Sequence, residues 1–214
     1  MTDISLANMI EHAGIFAYLL IGLGVFAIAV ALERIFILHF RYSVNGKEFW
    51  KEIRARVTGG QMEEAIKLCD NAPLPQIIKS GLVEAAKGSP RIKEAMDETS
   101  LEVIPRIERR THYLSMVANV AVLIGLIGTV RGIIQAFGGM ANVDPAMRAE
   151  LLSRGIGLAL NATFLGLAIA IPALLVYSFL QSKATRLVDE IDEYSLKAFH
   201  LLRPTRRPTE QRAA

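Results

Sequence analysis

Three long apolar stretches constrain the fold of this chain more than any other feature of its sequence. Residues 13–32 carry no charge over 20 positions, and a helix of that length is about 30 Å long, enough to cross one bilayer core. Residues 113–143 contain Arg131 as their only charged side chain, and residues 155–182 contain none. The sequence therefore predicts an integral membrane protein with three transmembrane helices, at 13–32, 113–140 and 155–182.

Basic residues are unevenly distributed among the polar segments that separate these stretches. Residues 33–112 carry 14 and residues 183–214 carry seven, whereas residues 141–154 carry two and residues 1–12 carry none. Short segments rich in Lys and Arg stay on the cytoplasmic side of a membrane. We therefore expect the segment 33–112 and the C-terminal segment in the cytoplasm, with the N-terminus and the short turn at 141–154 outside.

The polar segments have the periodicity of amphipathic helices. Apolar side chains recur every three or four residues, at Phe49, Ile53 and Val57 and again at Leu187, Ile191, Tyr194 and Ala198. The stretch RIKEAMDETSLEVIPRIERRTHYL runs directly into the second apolar stretch, which predicts one continuous helix. The expected fold is all-α, with three transmembrane helices and a cytoplasmic helical bundle. The polar end of the chain, RPTRRPTEQRAA, is expected to be disordered.

Composition argues against several classes of function. A net charge of only +3 gives no indication of nucleic acid binding. The single cysteine, Cys69, cannot form an intrachain disulfide and is expected to pack as a small apolar residue. The sequence shows no metal-ligand cluster, nucleophile–base set or phosphate-binding loop. We therefore expect no cofactor and no enzymatic activity.

Two threonines lie inside the predicted transmembrane helices. A threonine in such a helix can donate a hydrogen bond to the carbonyl four residues earlier, which belongs to Gly125 for Thr129 and to Ala159 for Thr163. Alternatively, because a short turn joins the two helices, both hydroxyl groups line one polar path. The sequence leaves these two interpretations open.

Glycines flatten one face of each of these two helices. They are Gly125, Gly128, Gly132, Gly155, Gly157 and Gly166. Small residues let membrane helices approach one another closely. We therefore expect the second and third transmembrane helices to pack against protein along their glycine faces.

Three further residues of these helices are candidates for packing or for the mouth of a path. Arg131 falls near the outer edge of the second helix if the span starts at Tyr113, and deeper if the preceding helix extends further. It can reach the membrane interface or pack on another helix. Asn161 is expected to form hydrogen bonds between helices, and Pro172 to bend the third helix. The three predicted helices contain no Asp or Glu. An ion path through them therefore needs a carboxylate from another chain.

Two motifs in these helices resemble those of the MotA/TolQ/ExbB proton-channel family, closest to its TolQ and ExbB branch. GLIGTVRGII, which begins at Gly125, is similar to the family's G-L-x-G-T-V-x-G-I. GIGLALNATFLGLAIAIPALLVYS, which begins at Gly155, is similar to its G-I-x-E-A-L-x-A-T-x-x-G-L-x-x-A-I-P-A. The order of the predicted segments also matches, and the resemblance covers essentially the whole chain.

The resemblance implies a homo-oligomeric ring, a pentamer, in a bacterial inner membrane, with a periplasmic N-terminus and a cytoplasmic C-terminus. The ring would surround a single-span partner similar to ExbD or TolR, whose membrane aspartate supplies the missing carboxylate. Thr129 and Thr163 match the family's two pore threonines. The implied function is an ion-conducting stator, with the proton as the expected ion. It would use the proton motive force for transport energising, envelope maintenance or gliding.

One position departs from the family pattern. The acidic residue that the family has five positions before the threonine of the third helix is Leu158 here. In the second helix, Arg131 stands where the family often has another large residue after Thr-Val. Leu158 supports an alternative function, a membrane scaffold that has the same fold and does not conduct ions.

Overall fold

The computed structural model describes residues 15–42, 44–140 and 144–203, which form helices and short connections with no β-strand among them. The α-helices of this described part are α1 (Ile15–Phe36), α2 (Gly46–Thr58), α3 (Met62–Lys67), α4 (Pro73–Ala86), α5 (Ile92–Glu108), α6 (Thr111–Met140) and α7 (Pro145–Leu202). A π-helical turn, Ile37–Arg41, follows α1 directly. The prediction of an all-helical chain is confirmed.

Residues 1–35 and 110–181 form one compact unit, whose described part contains α1, α6 and the first part of α7. Its core consists of small and aliphatic side chains, among them Ala17, Leu20, Leu114, Ala118 and Leu165. Large apolar side chains also cover its outside, including Val25, Leu123, Phe164 and Leu175. Helices that are apolar on both sides suit a hydrocarbon environment. The described residues include three helices that are long and apolar enough to cross a membrane, as the sequence predicts.

Residues 36–109 and 182–214 form a second compact unit, which contains α2 to α5 and the last part of α7. Its helices bury one face and leave their charged residues outside. The predicted apolar series contribute to this core through Phe49, Ile53, Ile191, Tyr194 and Ala198, with Val57 and Leu187 packed against it. The second unit is therefore a helical assembly with a core of its own.

A break separates α5 from α6, where the sequence predicts one continuous helix. The Arg109 N–H donates to the Pro105 carbonyl at 2.9 Å, and Arg110 has a φ of 68°, in the left-handed region that ends a right-handed helix. The periodicity could not show this break. Ile107, Thr111 and Leu114 are all buried, and their spacing continues across it as one helical face.

Some predicted segments lie outside the described residues. These are the N-terminal segment 1–12, positions 141–143 of the expected turn, and the chain end from residue 204. The helix α7 begins at Pro145, next to Asp144, whose carbonyl accepts a hydrogen bond from the Met147 N–H at 2.9 Å. Residues 145–154, the rest of the expected turn, are therefore already helical.

Candidate functional site

The glycines of α6 face α7 at very short distances within the first unit. A β-carbon added to Gly125 would lie 3.0 Å from the carbonyl oxygen of Ala162, and one added to Gly128 would lie 2.6 Å from the Ala162 β-carbon. A β-carbon on Gly132 would lie 2.9 Å from that of Ala159. The distances at Gly128 and Gly132 are shorter than real β-carbons show and the one at Gly125 is at the limit, so these three positions of α6 favour glycine.

Two glycines of α7 complete the same contact. A β-carbon on Gly155 would lie 2.2 Å from the β-carbon of Ala136, and one on Gly166 would lie 2.7 Å from the carbonyl oxygen of Ala121. Gly157 is different, because nothing lies within 4 Å of the β-carbon position there. The expectation that Gly157 packs with the others is therefore wrong within this chain.

Thr129 of α6 and Thr163 of α7 meet at this contact. Their hydroxyl oxygens are within hydrogen-bond distance, and either can be the donor. The Thr129 hydroxyl oxygen also lies 3.1 Å from the carbonyl oxygen of Gly125 and 3.3 Å from that of Ala159. The Thr163 hydroxyl oxygen lies 3.4 Å from the same Gly125 carbonyl. The two hydroxyls and two carbonyls thus form one hydrogen-bonded group that joins both helices.

In one of the two interpretations that the sequence leaves open, Thr163 donates to the carbonyl of Ala159 in its own helix. Instead, Thr129 contacts the Ala159 carbonyl and Thr163 contacts that of Gly125 in the neighbouring helix. The bonds cross because the backbones nearly touch: a β-carbon on Gly125 would lie 3.3 Å from the Cα atom of Thr163. The structure brings the two hydroxyls together, and each hydroxyl also lies near a backbone carbonyl oxygen.

This group offers two hydroxyl protons and four oxygen atoms that can accept them. A hydroxyl donates one hydrogen bond and can accept two, so Thr129 can donate to Thr163 or the reverse, while the second proton points to a carbonyl. Rotation of the two O–H bonds interconverts these arrangements. Both side chains are only partly buried. A polar group from another chain can therefore reach them, and either hydroxyl can turn to donate to it.

Arg131 lies two residues after Thr129 on an exposed position of α6. The central carbon of its guanidinium lies 5.5 Å from the ring centroid of Phe16 in α1, which is the geometry of a cation–π contact. Phe16 also approaches the β-carbon position of Gly128 to 4.0 Å. Arg131 therefore contacts α1 through the aromatic ring beside the glycine face.

The remaining candidates of α7 differ in exposure. Leu158 and Asn161 are half-buried. Pro172 is exposed and lies inside α7, which continues through it as one helix. With Gly24, Ala168 and other apolar residues, Pro172 lines an apolar groove of about 210 Å³. Since proline has no N–H, it cannot donate to the Ala168 carbonyl four residues earlier.

Charged residues at the ends of α1 and α6 make contacts that the sequence did not reveal. Glu33 and Arg110 form an ion pair, and Arg34 is only 3% exposed. In the sequence these residues appear only as charges beside an apolar stretch. The ion pair could nevertheless have been predicted. The predicted topology puts Glu33 and Arg110 beside the ends of two helices on the same side of the membrane.

The second unit holds the chain's only thiol, which is kept unreactive. Cys69 is 6% exposed, and its thiol contacts the carbonyl oxygen of Ala65 at 3.3 Å. Burial raises the pKa of the Cys69 thiol to about 11, so the thiol is protonated at neutral pH. Across the described residues, no three His, Cys, Asp or Glu side chains are grouped so that they could hold a metal ion.

Comparison with known proteins points to one family. The model of the MotA/TolQ/ExbB proton channel family matches residues 70–193, which include the whole α6–α7 contact. The chain is 30% identical over 192 residues to a putative biopolymer transport protein ExbB homolog of Methanothermobacter thermautotrophicus, covering 88% of this chain and 66% of that protein.

Bacterial relatives match over shorter lengths. The Tol-Pal system protein TolQ of Haemophilus influenzae is 31% identical over 146 residues, covering 66% of this chain and 62% of that protein. The biopolymer transport protein ExbB of Aquifex aeolicus is 31% identical over 130 residues, covering 57% of this chain and 86% of that protein. The chain thus spans slightly less than two thirds of the archaeal and Haemophilus relatives.

Proposed function

The chain belongs to the MotA/TolQ/ExbB proton channel family, and on this premise we propose that it is an ion-conducting stator subunit of an inner-membrane motor. The proton is the proposed ion, and work across the cell envelope is the proposed output. The observation that carries the proposal is the contact between the Thr129 and Thr163 hydroxyls. It places two partly buried hydrogen-bond donors among the mainly apolar residues of α6 and α7.

The proposal assigns these donors to a carboxylate from another chain. A carboxylate inside hydrocarbon is costly unless it has hydrogen-bond donors. The apolar stretches of this chain supply the threonine donors but contain no carboxylate of their own. The proposed partner is a single-span protein, similar to ExbD or TolR, with an aspartate in its membrane helix. Protonation and deprotonation of that aspartate beside the threonine pair would carry the proton through the membrane.

The proposed assembly is a homo-oligomeric ring, a pentamer, around the partner's helix. The N-terminus and the residues near 141–154 would be periplasmic, and the segments 33–112 and 183–214 cytoplasmic, because the basic residues are concentrated in the latter two. In such a ring each ion that crosses gains about 2.3 kcal/mol per 100 mV of membrane potential. This energy would move the partner relative to the ring.

A second function, a non-conducting membrane scaffold, is favoured by one observation. Leu158, a half-buried apolar residue, occupies the position where the family motif has an acidic side chain. The threonine hydroxyls also have carbonyl acceptors available within the chain. In a scaffold these bonds would only join α6 to α7, and no external carboxylate would be needed.

Ion flux distinguishes the two functions. The chain and a single-span, aspartate-bearing partner protein would be reconstituted in vesicles, and flux would be recorded in a proton gradient and in a sodium gradient. A conducting stator gives flux with the partner that disappears when its membrane aspartate is replaced by asparagine. Absence of flux in both gradients, from complexes shown to be assembled, would support the scaffold.

A further inference from the structure

Two basic side chains of the second unit contact each other directly. The Nζ atom of Lys183, in α7, lies 2.9 Å from the Nδ1 atom of His39, in the π-helical turn that follows α1. An ammonium group can only donate, so Nδ1 of His39 accepts the bond. The neutral ring then carries its proton on Nε2. Within the part of the chain that the structure describes, this leaves the Nε2–H of His39 and two N–H groups of Lys183 as unused donors.

Two other lysines of the described residues have carboxylate partners. Lys197, on the same helix as Lys183, forms an ion pair with Glu193, and Lys87 forms one with Glu84 at 2.8 Å. Among the ion pairs of the described residues, neither His39 nor Lys183 has a carboxylate partner. The bond to histidine uses one N–H group of Lys183 and brings no carboxylate to it, so Lys183 can still bind an anion.

Exposed aromatic rings adjoin this pair. The π-helical turn buries Leu38 in the core of the second unit, while His39 and Phe40 face outward. The rings of Phe36 and Phe40 are 5.2 Å apart and those of His39 and Phe40 are 5.3 Å apart. Phe36 is 62% exposed and Phe40 71% exposed. Donors for an anion and a bare apolar surface therefore lie side by side.

We propose that His39 and Lys183 bind the phosphate of an anionic phospholipid, with Phe36 and Phe40 against its acyl chains. A phosphate accepts several charge-assisted hydrogen bonds, which matches the unused donors. Aromatic side chains beside basic ones are typical of the membrane–water interface. A free phosphate would use the donors and leave the two phenyl rings in water, so the adjoining apolar surface favours the lipid. The site depends on membrane insertion and is independent of ion conduction.

The test measures lipid binding to the full chain in detergent by native mass spectrometry. The probes are dioctanoyl phosphatidylglycerol, dioctanoyl phosphatidylcholine and inorganic phosphate. Wild-type chain should prefer phosphatidylglycerol, and Lys183→Gln should weaken that binding about fivefold, the effect of about one basic residue at an anionic surface. Lys183→Arg should retain the preference. Lys197→Gln, on the same helix with its cation already paired, is the matched control and should bind as the wild type.

Three results would overturn the proposal. The first is a Lys183→Gln variant that keeps the wild-type preference, and the second is equal binding of the two lipids by the wild type. The third is inorganic phosphate that displaces phosphatidylglycerol at equal concentration, which would identify a site for a small anion only. If Lys183→Gln elutes as an aggregate, His39→Ala removes the Nε2 donor and keeps the lysine, and it should weaken phosphatidylglycerol binding in the same direction.

Discussion

A β-carbon on Gly166 of α7 would lie 2.7 Å from the carbonyl oxygen of Ala121 in α6. The obstacle is backbone, which cannot turn aside as a flexible side chain can. We therefore expect Gly166→Ala to lower the free energy of unfolding by about 1–3 kcal/mol, the usual cost of overfilling a packed site. Thermal or denaturant unfolding in detergent measures the change.

Gly157→Ala is the matched control for this substitution. It lies on the same helix, and nothing lies within 4 Å of its β-carbon position. Because alanine favours a helix over glycine by about 1 kcal/mol, Gly157→Ala should be neutral or slightly stabilising. An equal loss of stability in both variants would contradict the account, because it would show that the contact with Ala121 does not decide the effect.

The glycine contact could be predicted from the sequence, and so could its exception. At about 100° per residue, Gly166 lies only about 20° round the helix from Gly155, whereas Gly157 lies about 200° away, on the opposite face. The helical period alone therefore predicts that Gly157 does not share a face with Gly155 and Gly166. Membership of the family and the number of apolar helices also followed from motifs and from length, which depend only on local sequence.

Other features depend on distances between helices, which the sequence does not contain. The hydrogen bonds of Thr129 and Thr163 cross to the partner helix because the backbones are nearly in contact there. The left-handed Arg110 interrupts a run of buried positions whose spacing continues without change. No glycine marks that turn in the sequence, so its pattern gives no signal.

Arg131 is predicted to act in packing. Arg131→Gln should lower the free energy of unfolding by about 0.5–1 kcal/mol, because it removes the cation from the face of Phe16. Phe16→Leu should have a similar effect. Because either substitution already removes the cation–π contact, the double variant should lose the stability due to this contact only once. A double-mutant cycle by unfolding in detergent measures the coupling, and fully additive losses would show that the two side chains act separately.

Membrane topology is predicted from the basic residues, and Cys69 cannot serve as its inner marker. Its burial and raised pKa make it unreactive on whichever side it lies. In a Cys69→Ala background, a cysteine introduced at Asn142, outside the described residues, should react with an impermeant reagent added to intact cells. A cysteine introduced at the exposed Thr58 should react only after lysis. The reverse labelling pattern would contradict the predicted topology.

The Cys69 thiol should also make stability depend on alkaline pH. Its pKa is about 11 in the folded chain and near 9 when unfolded, so between these values the folded chain holds one more proton. Stability is therefore fully present below pH 9 and falls as pH rises to 11, by at most about 3 kcal/mol. The measurement is the unfolding free energy of wild type minus that of Cys69→Ala, and a difference that stays constant over this range would refute the assignment.

The hydroxyl pair is the centre of the proposed mechanism, and valine tests it because it keeps the shape of threonine and removes the O–H group. Thr129→Val and Thr163→Val should each insert, assemble with the partner and lower ion flux about tenfold or more, the cost of losing a hydrogen bond to a charged group. Serine at either position should restore part of the flux.

The most direct measurement is proton flux across the membrane of vesicles that contain the chain assembled with its partner. The flux of the wild type is compared with that of each valine variant. Our account predicts a large loss of flux in both variants, with unchanged assembly. Wild-type flux in both valine variants would contradict it, and would mean that Thr129 and Thr163 serve only to join α6 to α7 through the carbonyls of Gly125 and Ala159.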